Sequence, residues 1–221
     1  MKMSDVTIIT GTYNNPQFLG VYLKTLSAYT QKGFSLIIIE NGDDPQSKKL
    51  LSTYKTDIFK DRMTILRGNS NWSFARFNNE GTHYAKTKLV LFANDDVVFS
   101  PFWLQSMIDL VKPDVGAVGK RLLDFEGKCV WHCDMTRNVE ETPATCLLVR
   151  RELALFDEGF TGYYMEDIAL CRKIRGLGFL IAVEYDHPVR HFGQATFEKK
   201  DNQAELISQN DVYYRSLFNG T

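Results

Sequence analysis

Four short runs, Val6 to Thr10, Leu36 to Ile39, Thr64 to Leu66 and Leu89 to Ala93, are nearly free of polar residues, with helical patterning between them. A strand with one wet face alternates in polarity, whereas runs as evenly rich in Ile, Val and Leu as these suit strands covered on both faces, as in βα units. The pattern predicts an α/β chain with a mostly parallel central sheet and flanking helices, these four strands forming its centre. The connecting segments agree. Pro16 to Ala28 and Pro45 to Tyr54 each begin on a proline suited to a first helical turn, and Ser73 to Lys86 opens on a serine able to cap.

After Phe99 the texture changes. Pro101 to Val111 reads as a helix, Gly116 to Gly119 as a short strand, and Asp124 to Thr142 as a polar, irregular stretch. Cys146 to Val149 is a further strand, Glu166 to Arg175 a helix stopped by Gly176, and Leu180 to Val183 a last strand before a histidine-rich loop; Ala204 to Phe218 closes the chain as a helix. With 221 residues, 44% of them hydrophobic, and no repeat or Pro/Gly/Ser-rich linker, one domain spanning 1–221 is expected.

Charge narrows the partners. The 26 basic and 27 acidic residues nearly cancel, so no long-range field favours nucleic acid or an anionic membrane. There is no signal-peptide h-region and no stretch long enough to span a bilayer, which leads to the expectation of a soluble, cytoplasmic chain. On that basis Cys129, Cys133, Cys146 and Cys171 are read as reduced thiols and no disulfide is expected.

The chemistry-bearing residues follow strand ends. Asn94-Asp95-Asp96 comes directly after the run Leu89 to Ala93, where a buried strand would surface, and ligands of open α/β sheets collect outside the carboxyl ends of strands. Clustered carboxylates there need a cation or hydrogen-bond donors to compensate them. The first turn, Gly11-Thr12-Tyr13-Asn14-Asn15-Pro16, has no Gly-x-Gly-x-x-Gly and the chain has no P-loop, which argues against a dinucleotide dehydrogenase or P-loop NTPase. That turn and Glu40-Asn41-Gly42-Asp43-Asp44 offer polar tips to one crevice, or are ordinary βα turns. Glu166-Asp167 opens a helix after a loop dense in glycine and aromatics, so the pair either caps the helix dipole or supplies an ionised base. His191 is a surface residue or a supplementary metal ligand. Cys129-Val130-Trp131-His132-Cys133 lacks the second ligand pair of a zinc site.

Taken in order, these segments resemble glycosyltransferase family 2, the inverting nucleotide-sugar transferases of the GT-A fold. Val6 to Asn14 is similar to the family's opening strand and Thr-Tyr-Asn turn, and Leu36 to Asp44 to its second strand with an acidic tip. Asn71 to Gly81 resembles its Ala-Arg-Asn-x-Gly helix, Asn94-Asp95-Asp96 its Asp-x-Asp variant, and Phe156 to Arg175 the block carrying its catalytic Glu-Asp. Two departures stand out: Glu40 where the family usually has Asp, and Asn78 at the family's helix arginine, with Arg76 nearby as a substitute.

The resemblance implies a GT-A type single domain, with about 1–100 as a nucleotide-binding half and about 101–221 as an acceptor-binding half. It implies that Asp96 ligates a divalent metal, Mn2+ or Mg2+, on the diphosphate of a UDP-, dTDP- or GDP-linked sugar, with His191 as a further ligand. Asn94 and Asp95 would contact ribose or metal-bound water, while Thr12, Tyr13, Asn14, Glu40 and Asn41, with Arg76, would line the nucleoside pocket. Asp167, beside Glu166, would be the base for a carbohydrate or other hydroxyl acceptor. Two rival expectations are a sugar-phosphate nucleotidyltransferase, which usually needs a basic glycine-rich loop near its start, and a non-catalytic sugar-nucleotide or carbohydrate-binding protein of the same fold.

Overall fold

The computed structural model describes residues 1–70, 72–136, 138–193 and 203–218. The first half is built from β1 (Val6–Thr12), α1 (Pro16–Tyr29), β2 (Ser35–Glu40), α2 (Pro45–Thr53), β3 (Met63–Arg67), α3 (Phe74–Tyr84) and β4 (Leu89–Ala93). These are the expected βα units, and their starts have local causes. Pro45 occupies the first turn of α2 while the Asp44 carboxylate accepts a hydrogen bond from Ser47 N at 2.6 Å. Ser73 Oγ accepts from Arg76 N at 3.2 Å at the start of α3.

The second half adds β5 (Val97–Val98), α4 (Trp103–Asp109), β6 (Val115–Leu123), β7 (Cys129–Trp131), β8 (Cys146–Arg150), α5 (Glu166–Gly176), β9 (Leu180–His191) and α6 (Gln203–Phe218). All described strands join one sheet in the order β3-β2-β1-β4-β8-β6-β9-β5, with β7 on β6. The four early strands pair in parallel, but they form one side of the sheet rather than its middle, and β3 is its edge. The other side is mixed: β8 runs antiparallel to β4 and β6, β5 is antiparallel to β9, and β6 is parallel to β9.

Strand alternation sends Val6 and Ile8 of β1 to one core with α1 and α4, and Ile9 to a second core with α3 and α5. Both faces are therefore covered, which is why the early runs carry so few polar residues.

The final strand differs from its sequence reading. Leu180 to Val183 does not end in a histidine-rich loop; β9 continues through Asp186-His187-Pro188 to His191. Its register against β6 moves from Lys120↔Glu184 to Leu122↔Val189, so a wide bulge absorbs the proline and polar residues that look like a break. Glu184 holds that bulge. Its carboxylate accepts from Asp186 N at 3.0 Å and His187 N at 3.2 Å, and it pairs with the fully buried Lys120. Burial pushes the Lys120 ammonium below its usual range, against the opposing pull of Glu184.

Candidate active site

The register Ile9↔Phe92 between β1 and β4 carries Asp95 level with Thr12, and Thr12 Oγ1 donates to Asp95 Oδ2 at 2.7 Å. Strand tips thus open one wall of a cleft of about 680 Å³, within the range of small-molecule sites. Gly11 lies on this wall because the Phe77 ring occupies the space that a Cβ would need. The bulged end of β9 supplies the next group. Val97 of β5 pairs with His191, and Phe192 N donates to Asp96 O at 3.1 Å.

The result is a convergence of lone pairs. Asp96 Oδ1 and His191 Nε2 lie 3.1 Å apart, buried, yet neither makes an aligned hydrogen bond. Two buried, unpartnered ligand atoms this close suit a divalent cation, and a carboxylate with an imidazole fits Mn2+ better than the oxygen-preferring Mg2+. Among the described residues no group of three or more His, Cys, Asp or Glu could hold a metal, so phosphate oxygens and water would complete the shell, as Mg2+ sites commonly require. The next carboxylate, Asp95, is pushed by burial up to about 7, opposed by the Thr12 hydrogen bond and helped by the charge of Asp96.

The opposite wall comes from the start of α5. The preceding loop reaches it through two left-handed residues, Tyr164 at φ 107° and Met165 at φ 71°. Such conformations cost about 1–3 kcal/mol each for non-glycine residues and persist where surrounding contacts over-determine them. They aim Glu166 and Asp167 into the cleft. Asp167 accepts backbone hydrogen bonds from Ile168 N at 2.8 Å and Ala144 N at 3.3 Å. Its outer edge stays partly open to the cleft while protein crowds the rest.

Burial raises the carboxyls of both Glu166 and Asp167. Glu166 rises well above its usual range, driven next by the charge of Asp167, and its Oε2 has no hydrogen-bond partner. Asp167 is counteracted by its two backbone donors. Burial and mutual repulsion thus hold the pair's proton affinity above that of free carboxyls, while the Ile168 and Ala144 N–H groups favour the charged form of Asp167. Tyr163, on the same wall, is pushed by burial up to about 12 and stays a neutral phenol.

Of the residues singled out from sequence, Thr12, Tyr13, Asn41, Asn94, Asp95, Asp96, Glu166, Asp167 and His191 line this cleft. Asn14, Glu40 and Arg76 do not. Asn14 Oδ1 accepts from Asp43 N and Asp44 N at 2.8 and 2.9 Å, tying the first turn to the second. Glu40 pairs with Arg67 at 2.8 Å, and Arg76 pairs with Glu158 at 2.9 Å while lying over the Trp72 ring.

Sequence reading missed Trp131, Tyr163, Tyr164, Phe192 and the segment Thr142 to Thr145, all of which line the cleft. No periodicity marks them, although the aromatic-rich loop before Glu166 was a visible signal. It also missed a disulfide. Cys129 and Cys133 are bonded, while Cys146 and Cys171 are free and buried. The reduced-thiol expectation weighed chain size and an expected reducing compartment, but the pairing follows from local geometry. A turn through His132 at φ 60° brings the two Cα atoms to 5.6 Å, inside disulfide reach. The bond closes a small loop that sets Val130 and Trp131 on the cleft rim.

Residues 7–154 match glycosyl transferase family 2. The chain belongs to that family. Solved structures share the fold of this family 2 chain at low identity. A mannosyltransferase from Pyrobaculum calidifontis, in complex with GDP-Man and Mn2+, has TM-score 0.67 and 13% identity, covering 85% of this chain and 56% of that one. TarS of S. aureus gives 0.69 and 16%, covering 85% and 36%. GalNAc-T7 with UDP, GalNAc and Mn2+ gives 0.70 and 12%, covering 84% and 42%. The chain thus spans between about a third and just over half of these three relatives' lengths. No protein with a curated description is close enough in sequence to count as a relative. Among the described residues no helix is long and apolar enough to cross a membrane.

Proposed function

We propose that this chain transfers a sugar from a nucleoside-diphosphate sugar to an acceptor hydroxyl with inversion at the anomeric carbon. The observation that carries the reading is the make-up of one cleft: Asp95, Asp96, Glu166, Asp167 and His191 line it, and none of its described lining residues is Lys or Arg. A diphosphate entering a pocket of carboxylates with no basic side chain is repelled unless a cation comes with it. Asp96 and His191 would hold that cation, which when bound neutralises charge developing on the departing diphosphate. The structural neighbours crystallised with Mn2+ and with GDP-Man or UDP lend support by analogy.

The protein's own residues then divide the work. Thr12 holds Asp95 in place, and Tyr13, Asn41 and Asn94 present polar and aromatic surface to the nucleoside side. Asp167 faces the acceptor as a carboxylate and takes the hydroxyl proton as the new bond forms. Attack from the wall opposite the diphosphate inverts the anomeric centre through an oxocarbenium-like transition state. The first half of the chain then binds nucleotide and the second half binds acceptor.

A nucleotidyltransferase is disfavoured by the same cleft, whose described lining offers no basic loop to a triphosphate. The deciding experiment is a thermal-shift and hydrolysis screen of UDP-, dTDP- and GDP-sugars with and without Mn2+. A metal-dependent rise in melting temperature with donor cleavage is expected. Cleavage of a nucleoside triphosphate in the presence of sugar phosphate, with no response to sugar nucleotides, would overturn the reading.

A further inference from the structure

Among the described residues, no side chain of helix α6 lines the cleft and one, Asn210, is polar and buried; the helix lies beyond the residues that match the family. Asn210 is 1% exposed, and everything its amide bonds to belongs to the loop before α5. Its Oδ1 accepts from Thr161 N at 3.0 Å, and its Nδ2 donates to Thr161 O at 2.9 Å, Tyr164 O at 3.0 Å and Tyr163 O at 3.4 Å. A loop in left-handed conformation cannot pair these groups in a helix or ladder, so one side-chain amide does so. Neighbouring contacts close the joint. The Tyr213 ring packs edge-on against Phe160 at 5.0 Å, its hydroxyl donates to Asp157 at 3.1 Å, and Gly159 is bare where that ring lies.

We propose that Asn210 is a positioning residue of the transfer reaction: through its side-chain hydrogen bonds it holds residues 161–164 in the strained path that aims Asp167, and with it Tyr163, into the cleft. Without those bonds the loop relaxes out of its left-handed turn and the carboxylate loses its aim, while the strand-tip wall is untouched. Asn210 acts through the loop and touches no substrate. The consequence for rate rests on the transferase reading; the consequence for the loop does not.

The test uses the full chain with Asn210→Ala and Asn210→Asp. The second variant keeps shape and the acceptor for Thr161 N but loses the N–H donors, and it takes over both readouts if Asn210→Ala yields no folded protein. Hydrogen exchange of peptides covering 159–165 is expected to accelerate at least about 10-fold while peptides of β1 and β4 stay at wild-type rates. In transfer assays kcat should fall about 100-fold, as for a misplaced catalytic group, with the donor KM within about 3-fold of wild type. Unchanged exchange in 159–165, acceleration shared equally by β1 and β4, or a donor KM that rises in step with the loss of kcat each overturns the proposal. A wild-type protein inert toward every sugar nucleotide would instead remove the transferase reading, and the exchange data would still decide the clamp.

Discussion

The two walls of the cleft are held by different physics. On the first, Thr12 ends a parallel strand and Asn41 and Asn94 to Asp96 follow immediately on others, whose registers, Thr12↔Glu40 and Ile9↔Phe92, set their height. On the second, Asp167 and Tyr163 are delivered by a loop with two left-handed residues, tied down by Asn210 and by Phe74 N donating to Gly162 O at 2.9 Å. Ladder hydrogen bonds place a residue by its offset along a paired strand. A strained loop has no ladder and is fixed instead by side-chain contacts such as those of Asn210. The contrast teaches that one wall of the cleft is built into the sheet, while the other is assembled from a loop and the helix contacts that hold it.

Asp167→Asn sharpens this contrast most. Transfer should fall by about 10³-fold or more, while donor and Mn2+ still raise the melting temperature as in wild type. Retained transfer would dissolve the division of labour. Asp96→Ala should do the converse, weakening Mn2+ binding in direct titration by at least about 10-fold and abolishing the metal-dependent thermal shift. Chelation of wild-type protein should mimic it, and added Mn2+ should restore turnover.

The pH profile probes the strained wall together with Asp95 of the strand-tip wall, which burial pushes up to about 7. A base acts only when deprotonated, so kcat should fall as pH drops through the folded pKa of Asp167. Burial raises that pKa, so this limb lies above the ordinary carboxylate range near 4. The stability sign is opposite. A carboxyl raised in the folded state binds its proton more tightly there than in the unfolded chain. Its contribution is therefore fully present below the unfolded pKa and is lost as pH rises through the folded one. Glu166→Gln, which removes the more strongly raised group, should flatten that decline in melting temperature with pH, and a curve as steep as wild type would contradict the assignment.

Smaller effects test the margins. Cys129→Ser, or reduction, should cost about 2 kcal/mol or less, since the bridged loop is short. It should raise the acceptor KM through Trp131 and leave the donor KM alone. Arg76→Ala should change neither KM, because its guanidinium is engaged by Glu158 outside the cleft. A large rise in donor KM would restore Arg76 to the nucleotide.

Legibility followed the same divide. The β1 to β4 runs, their helices and the position of Asn94-Asp95-Asp96 could be read because burial on both faces leaves a pattern and site residues fall at strand ends. The bulge in β9 could not, since Asp186-His187-Pro188 looks like a chain break until Glu184 and Lys120 are seen beneath it. Nor could the fate of Asn14, Glu40 and Arg76, whose types fit a nucleotide pocket but whose partners, Asp43 and Asp44 N–H, Arg67 and Glu158, are set by packing. The Cys129–Cys133 bond turned on a left-handed turn at His132 that no composition argument detects.

By itself the amino-acid sequence determined the βα framework and the order of the acidic motifs, because hydrophobic periodicity and strand-end chemistry are local properties. Only the tertiary structure decided that Asp96 meets His191, that Glu166 and Asp167 are buried together at one wall of the cleft, and that Asn210 reaches back to bond the loop before them. Those outcomes depend on burial, register across a bulge and contacts between residues far apart in the chain, quantities that come into being when the chain closes on itself.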